Sequence, residues 1–169
     1  VRWWIPLMFP NAWLLQENDL FNLKQHWFAR NSKFDCDIFK NQFIMNLKSN
    51  ESTKKIYNYD FEFQIIWEFV ETWVKITQKI IITGDKNLPI SSWFHPYFYI
   101  QNIYKKDLKF SNLENNFFYI WSLWWKKIIE NNWIFEVNFL EHNLIFDYQK
   151  DFKYIWLWSE EWKDFICIE

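Results

Sequence analysis

Glycine is almost absent from this sequence. Among 169 residues there is a single glycine, Gly84, where average usage of about 7% would give roughly 12. Tryptophan, in contrast, occurs 14 times. Tight turns with positive φ depend on glycine because it has no Cβ. Either other residues occupy such positions in this chain, or tryptophans stand where glycine belongs.

Several tryptophans occur where a turn is expected. Trp133 follows Asn131-Asn132 between two strand-like runs, where Asn-Gly would be the usual hairpin signal. Trp73 follows Glu71-Thr72 in a similar setting, and Trp162 lies in a short polar segment. We therefore hypothesise that many of these tryptophans are glycines in the living protein, as when a UGA codon that is read as glycine is translated as tryptophan. The alternative is a domain truly rich in tryptophan. The intact mass decides between them, since the printed sequence gives 21.5 kDa.

Other features that the sequence lacks exclude several classes of protein. No apolar run approaches the ~18 residues of a membrane span, and no signal peptide opens the chain. Cys36 and Cys167 are too few for a disulfide framework, and no Cys or His spacing is typical of zinc. The 19 basic and 21 acidic residues are interspersed, so nucleic acid is not the expected partner. We expect a cytoplasmic protein without membrane or metal.

Short strands dominate what the sequence does contain. Apolar and polar residues alternate over Asp60–Ile82, which predicts an antiparallel hairpin with one buried face. A second hairpin is predicted over Lys126–Leu140, and further strands over residues 144–148, 152–158 and 165–169. No stretch longer than two turns has helical periodicity. The spacing predicts an all-β sandwich or barrel, in a single domain over residues 1–169.

The segment around His95 is the first candidate site. His95 is one of three histidines, and Pro96 behind it favours an extended backbone. In an extended chain, successive side chains alternate between faces. The segment then divides into Phe94, Pro96 and Phe98 on one face, and His95, Tyr97 and Tyr99 on the other. A proton-transfer group flanked by aromatic rings suits a sugar, although a single histidine in an aromatic strand is more often structural.

A second candidate site lies in the segment Lys24–Asn31. If this segment is extended, His26, Phe28 and Arg30 share one face. A histidine and an arginine that point together can hold hydroxyl groups or an anion. The alternative is an edge strand whose polar residues face outward.

The last residues of the chain carry a carboxylate at the end of an apolar strand. Alternation places Phe165, Cys167 and Glu169 on one face, opposite Ile166 and Ile168. A glutamate at a chain terminus is usually solvated. Glu169 becomes a candidate functional residue only when it is considered together with the other segments.

Taken together, these stretches resemble the aldose 1-epimerase (galactose mutarotase) family, particularly its bacterial branch. Its members carry Arg-Gly-Gly-Ile-Pro, His-Gly-Phe-Ala-Arg and Gly-Phe-His-Pro-Tyr-Phe, which correspond to Arg2–Pro6, His26–Arg30 and Trp93–Phe98 here. The end of this chain, Asp164–Glu169, resembles the family's Phe-x-Cys-Ile-Glu-Pro-Trp segment. Every departure inside the first three motifs is Trp for Gly, which supports the glycine hypothesis. Because family members extend further at both ends, we expect this chain to be incomplete at both.

The resemblance implies a fold, an activity and a set of residues. The fold is a galactose mutarotase-like antiparallel β-sandwich, and the activity interconverts the α and β anomers of an aldohexose without cofactor or metal. It implies that Glu169 is the base that takes the O1 proton and that His95 is the acid that protonates the ring oxygen. It further implies that His26 and Arg2 contact substrate hydroxyl groups. Arg30 would hold the phosphate in a relative that acts on phosphorylated hexoses.

Several points stay open at this level. The family's substrate-binding aspartate corresponds to either Asp107 or Asp147, and His142 is interpreted as a surface residue. The alternatives to an aldose 1-epimerase are a hexose-6-phosphate 1-epimerase, a non-catalytic carbohydrate-binding module on the same fold, and a Trp-rich structural domain. The sequence determines neither the preferred sugar nor the oligomeric state.

Overall fold

The computed structural model describes residues 5–17, 21–111, 124–130, 134–139, 142–148 and 152–169, with the backbone alone at residues 16, 17, 21 and 124–130. Two units are distinguished, one formed by Leu7–Trp93 and the other by the segment Phe94–Glu169 together with the first residues. Each unit is described separately below. The expected single domain over residues 1–169 stays a prediction.

The unit Leu7–Trp93 is built from short strands followed by a long meander. Its strands are β1 (Leu7–Met8), β2 (Pro10–Asn11), β3 (Leu15–Glu17), β4 (Phe21–Leu23), β5 (Trp27–Phe28), β6 (Asp35–Ile38), β7 (Gln42–Lys48), β8 (Phe61–Val70) and β9 (Trp73–Ile82), and β10 (Trp93–Phe94) begins at its end. Strands β6 to β9 form an antiparallel sheet in the order β6-β7-β8-β9. Strands β8 and β9 pair from Phe61↔Ile82 to Val70↔Trp73, which confirms the hairpin predicted over Asp60–Ile82.

The buried face of this hairpin covers about half its length. Phe61, Phe63 and Ile65 are buried, and Phe9 stacks on Phe63 with ring centroids 4.3 Å apart. Toward the turn the same alternation leads to exposed apolar side chains, and Phe69 is 46% exposed. The alternation therefore predicts the face correctly but not how far along the strand the core extends.

Helical structure is short in the described residues. A turn of 3₁₀ helix, η1, spans Ala29–Asn31, and another, η2, spans Asn102–Asp107. The α-helix α1 covers only Glu51–Lys54. Asn50 caps it, since its side chain accepts hydrogen bonds from the backbone N–H groups of Ser52 and Thr53. None of the helices in the described part of the chain has the length and apolar character that crossing a membrane requires.

In the described residues of the unit Phe94–Glu169, the strands form two antiparallel sheets. Its strands are β11 (Tyr97–Tyr99), β12 (Lys109–Phe110), β13 (Trp124–Glu130), β14 (Ile134–Asn138), β15 (Asn143–Asp147), β16 (Tyr154–Glu160) and β17 (Phe165–Ile168). One sheet has the order β11-β17-β16-β13 and the other β12-β14-β15. A core of apolar residues from both sheets is buried, including Phe110, Phe135, Val137, Ile155, Leu157, Ile166 and Ile168. The antiparallel all-β fold class is confirmed.

The hairpin predicted over Lys126–Leu140 is wrong. Strand β13 pairs with β16 along its whole length, from Trp124↔Glu160 to Glu130↔Tyr154. Strand β14 pairs instead with β12 and β15 in the other sheet. The predicted turn residues 131–133 lie outside the described residues. A local turn signal marks where the chain changes direction, but the burial of each strand's apolar face decides which strand it pairs with.

Candidate acid–base site

The pairing of β11 with β17 sets the geometry of the site. In this antiparallel pair Tyr97 lies opposite Cys167. Counting two residues outward along each strand brings His95 opposite Glu169. Residues directly opposite each other in an antiparallel pair have their side chains on the same face and close together. Two residues 74 positions apart in the sequence thus meet because of strand register (169 − 95 = 74).

His95 and Glu169 form a nearly buried acid–base pair. His95 Nε2 lies 3.1 Å from Glu169 Oε1, and the two side chains are 6% and 7% exposed. The backbone of Glu169 is fixed as well, because its N–H donates to the carbonyl oxygen of Trp156 and its carbonyl accepts from the Trp156 N–H, at 2.8 and 2.7 Å. A histidine and a carboxylate at this distance can exchange one proton.

Cys167 extends this pair on the other edge of the imidazole. Its Sγ lies 2.7 Å from His95 Nδ1 and 3.0 Å from the Pro96 carbonyl oxygen, and the residue is fully buried. Burial raises the pKa of the Cys167 thiol, and the Glu169 carboxylate raises it further. Cys167 is therefore a neutral thiol at physiological pH.

Aromatic rings surround the histidine. The Tyr97 ring stacks on His95 with centroids 4.8 Å apart and an interplanar angle of 14°, and Trp158 meets His95 edge-on at 5.8 Å. Phe165 contacts both Tyr97 and Trp158. The opposite face of the same strands is core, since Ile166 and Ile168 are buried. The alternation predicted around His95 and at the end of the chain is thus observed.

A buried lysine supports the strand that carries Cys167 and Glu169. Lys105 Nζ donates to Ser159 Oγ and to the Glu160 carbonyl oxygen, both at 2.8 Å, and lies 5.7 Å from the centre of the Phe165 ring. Burial lowers the pKa of Lys105 to about 8, although Asp164 and Glu160 act in the opposite direction. Lysines are rarely buried without such partners.

Sequence reasoning missed the roles of Cys167, Lys105 and Trp158. Cys167 could have been found, because it shares a face with Glu169 at a spacing of two residues. Lys105 lies in a polar connection with no pattern that indicates burial. Trp158 was grouped only with a candidate strand, and its place beside His95 depends on the register Trp158↔Cys167.

His26 and Arg30 belong to the other unit, in a structure different from the predicted one. His26 lies in a turn with φ 58°, followed by the two-residue strand β5 and by η1, which contains Arg30. The prediction that His26, Phe28 and Arg30 share the face of an extended strand is therefore wrong. Phe28 is buried while Arg30 is exposed. Burial lowers the pKa of His26, and the Arg30 guanidinium lowers it further, so His26 is neutral at physiological pH and feels the charge of Arg30.

Three further candidates, Asp107, Asp147 and His142, lie in the described part of the chain. Arg2 lies outside the described residues. Asp107 ends η2, and Asp147 ends β15 with an exposed side chain. His142 is exposed and stacks on Phe139 with centroids 5.0 Å apart, which agrees with its interpretation as a surface residue.

Within the described residues, the side chains that could together hold a metal ion are those of His95, Cys167 and Glu169. One ligand atom from each lies within 4.8 Å of the others. His95, however, directs Nδ1 toward the thiol and Nε2 toward the carboxylate. These nitrogens are on opposite edges of the ring, so one ion would meet all three residues only after the imidazole turned. The present arrangement suits proton transfer better than metal binding.

The fold is similar to solved structures of bacterial proteins. A protein of Synechocystis sp. PCC 6803 superposes with a TM-score of 0.81 and 20% sequence identity, over 97% of this chain and 66% of that one. A galactose mutarotase related enzyme from Lactobacillus acidophilus gives a TM-score of 0.75 and 18% identity, over 97% and 69%. A galactose mutarotase-like protein from Lactobacillus casei gives 0.74 and 17%, over 97% and 71%. The chain thus spans about two thirds of the length of these structures.

Sequence comparison gives the family. No curated protein matches this chain at a significant level. The sequence model of the aldose 1-epimerase family, however, matches residues 14–126, which is more than half of the chain. The structures agree in fold, with a galactose mutarotase-like arrangement of antiparallel sheets. The chain belongs to the aldose 1-epimerase family.

Proposed function

We propose that this protein is an aldose 1-epimerase that interconverts the α and β anomers of an aldohexose by opening and closing the sugar ring. The observation that carries the proposal is the nearly buried pair of His95 Nε2 and Glu169 Oε1, 3.1 Å apart on a sheet face with aromatic rings. A protein that only bound sugar would not need an acid and a base in contact. Family membership supports the same reaction class.

The chemistry assigns one role to each residue. The Glu169 carboxylate accepts the proton of the C1 hydroxyl, while His95 Nε2–H donates a proton to the ring oxygen. The bond between C1 and the ring oxygen breaks as the C1 carbonyl forms. After rotation about C1–C2, both proton transfers run in reverse and the ring closes on the other face. The number of protons on the pair is the same before and after each cycle, so the reaction needs no outside acid or base.

The remaining candidates would bind rather than react. We assign His26 and Arg2 to substrate hydroxyl groups. The side chains of Tyr97 and Trp158 offer flat apolar faces next to His95, which suit the C–H face of a sugar ring. The substrate-binding aspartate of the family corresponds to either Asp107 or Asp147.

One observation favours a second candidate, a hexose-6-phosphate 1-epimerase. Arg30 is exposed, and its charge acts on the pKa of the nearby His26. A guanidinium binds phosphate in a bidentate manner. This candidate uses the same acid–base pair and differs only in the substrate that Arg30 would select.

Polarimetry of the full-length protein tests the proposal. Freshly dissolved α-glucose or α-galactose should reach anomeric equilibrium faster than in buffer alone, and His95→Asn should remove most of that acceleration. His142→Asn is the matched control, because His142 is exposed and outside the pair. The same assay on α-glucose 6-phosphate separates the second candidate. If neither sugar equilibrates faster than in buffer, both enzyme assignments are wrong and a carbohydrate-binding module becomes the better interpretation.

A further inference from the structure

Cys167 lies at the end of the hydrogen-bonded chain that runs through His95 to Glu169, and the reaction above gives it no part. Its sulfur interacts with the Glu169 carboxylate and contacts two further groups of different character. The Pro96 carbonyl oxygen, at 3.0 Å, can only accept a hydrogen bond, whereas His95 Nδ1, at 2.7 Å, can donate or accept. These contacts, with the Glu169 carboxylate as a further acceptor, determine where the protons are.

The acceptors around the sulfur fix the direction of the thiol. The Pro96 oxygen and the Glu169 carboxylate, which also acts on the thiol, can only accept hydrogen bonds, so the Cys167 S–H donates to one of these acceptors and not to His95 Nδ1. The sulfur lone pairs then face His95 Nδ1, so Nδ1 must carry a hydrogen and donate it to sulfur. The reverse arrangement, with S–H directed to Nδ1, would leave a sulfur lone pair against the carbonyl oxygen with no hydrogen between them.

A hydrogen on Nδ1 is compatible with both states of the acid–base pair. When His95 is an imidazolium and Glu169 a carboxylate, Nδ1–H donates to sulfur and Nε2–H to the carboxylate. When Glu169 has gained a proton and Nε2 has lost one, the neutral ring keeps its Nδ1–H. The total number of protons is equal in the two states. Nδ1 therefore never exchanges its hydrogen, and all proton transfer takes place at Nε2.

We propose that Cys167 is a positioning residue, which holds His95 in the Nδ1–H tautomer and directs Nε2 toward Glu169 and the substrate. The tautomer follows from the hydrogen bonds alone, whereas its consequence for catalysis rests on the proposed function. A partner on one ring nitrogen is the usual way in which a protein selects the tautomer at the other.

The neutral character of the thiol has a separate consequence. A carboxylate at Nδ1 would stabilise the imidazolium strongly through a charge-assisted hydrogen bond. A thiol orients the ring with less stabilisation of its charged form. His95 consequently remains ready to give its Nε2 proton to the ring oxygen. The raised pKa of Cys167 agrees with this, because the thiol stays protonated.

Nitrogen-15 NMR of the histidine side chains tests the tautomer directly. In the full-length protein with labelled histidine, the couplings of ring hydrogens to the two nitrogens distinguish Nδ1–H from Nε2–H. While His95 is an imidazolium both ring nitrogens carry a hydrogen, so the spectra are recorded at a pH high enough to make the ring neutral. We then expect the Nδ1–H form for His95, identified by loss of its signals in His95→Asn. Cys167→Ala should shift His95 toward the Nε2–H form, and Cys167→Ser, which keeps a small donor and acceptor, should retain Nδ1–H.

Steady-state kinetics of the same variants measure how the contact between Cys167 and His95 affects the reaction rate. Cys167→Ala should lower kcat by about 10- to 100-fold, the range found when the partner that orients a metal-binding histidine is removed, with little change in KM. Cys167→Ser should recover most of the rate. Ser159→Ala is the matched control: Ser159 is equally buried in the neighbouring strand and donates to the Phe165 carbonyl oxygen, so its loss should lower stability without changing the tautomer of His95.

The outcomes separate the two assignments. An Nε2–H tautomer in the unaltered protein, or an unchanged tautomer and kcat in Cys167→Ala, would overturn the role of Cys167. If Cys167→Ala does not fold, the spectra of the unaltered protein and of Cys167→Ser decide. If the unaltered protein shows the Nδ1–H form but no epimerase activity, the proposed function fails while the tautomer assignment stands.

Discussion

The protein holds its two candidate histidines in contrasting ways. His95 lies in extended backbone, is 5% exposed and is held on both edges of its ring by Cys167 and Glu169. His26 lies in a turn with φ 58°, is half-buried, and feels the positive charge of Arg30. The first region is the strand pair of β11 and β17, and the second is the turn before η1. In the proposed reaction the first region transfers a proton, whereas the second keeps its histidine neutral beside a cation.

This contrast shows what each kind of backbone contributes. Strand register places two residues opposite each other with little freedom, which suits reacting groups that must stay within hydrogen-bond distance. A backbone conformation with positive φ costs free energy for any residue other than glycine. Such residues recur at functional sites, where the surrounding structure enforces the conformation. The turn directs His26 in a way that an extended strand would not, which suits recognition of a ligand rather than proton transfer.

The largest expected effect separates these two roles by kinetics. Glu169→Gln should lower kcat by about 10²- to 10⁴-fold, because it removes the general base while preserving shape. His26→Asn should instead raise KM by about two- to tenfold, the loss of one hydrogen bond, with kcat nearly unchanged. Asparagine suits the test because it tolerates positive φ. Steady-state kinetics on a series of α-sugars measures both.

The reverse pattern would remove the distinction. A large fall in kcat for His26→Asn would mean that the turn takes part in the reaction. An increase in KM alone for Glu169→Gln would reduce the buried pair to a binding element. Thermal unfolding of both variants serves as the control for loss of structure.

The second prediction concerns the turn that leads into β17. Trp162 and His26 are the non-glycine residues with positive φ in the described part of the chain, and Trp162, at φ 63°, is 78% exposed. The left-handed conformation costs a non-glycine residue about 1–2 kcal/mol, and little apolar burial is lost with this ring. Trp162→Gly should therefore raise the free energy of unfolding by about 1 kcal/mol.

Trp73→Gly is the matched comparison. Trp73 is also exposed, but it is the first residue of β9, paired with Val70, and its φ is negative. Glycine within a strand costs about 0.5–1 kcal/mol, so this variant should be less stable. Urea unfolding measures both. Equal destabilisation by the two substitutions would contradict a glycine-type turn at Trp162 and weaken the hypothesis that tryptophan replaces glycine there.

These results show how far the sequence could predict the fold and the site. Alternation correctly predicted the hairpin of β8 and β9 and the faces of β11 and β17, because side chains of a strand alternate with a fixed period of two. The pair of His95 and Glu169 followed from the family resemblance. Local pattern alone could not have joined them, since the register of distant strands is set by burial across the whole sheet.

Three features depended on tertiary structure. The sequence of residues 126–140 indicated a hairpin, yet β13 pairs with β16, because pairing partners are selected by the apolar faces available in each sheet. His26 was expected in an extended strand, but a turn places it at positive φ. Lys105 looked like part of a solvated connection, and its burial depends on acceptors contributed by Ser159 and Glu160.

The two regions should also respond to pH at opposite ends of the range. Lys105, which supports the β16–β17 connection, has its pKa lowered from 10.5 to about 8. Between about pH 8 and 10.5 the unfolded chain binds this proton and the folded chain does not, so stability should rise with pH in that window. Lys105→Met should remove this rise. Asp164 and Glu160 are the acidic groups that act on Lys105.

The response of the turn region is the smallest and lies on the acid side. Because the pKa of His26 is lowered from 6.5, the unfolded chain takes up a proton first as the pH falls. Stability should therefore decrease as the pH falls through 6.5 and level off below the folded pKa. Arg30→Gln should raise the pKa of His26 and weaken this decrease, and His26→Asn should abolish its contribution. Urea unfolding between pH 7.5 and 5 measures the effect, and NMR titration of His26 assigns it. If Arg30→Gln leaves the pKa of His26 unchanged, burial alone sets that pKa, and the turn offers no electrostatic coupling by which a bound anion on Arg30 could act on His26.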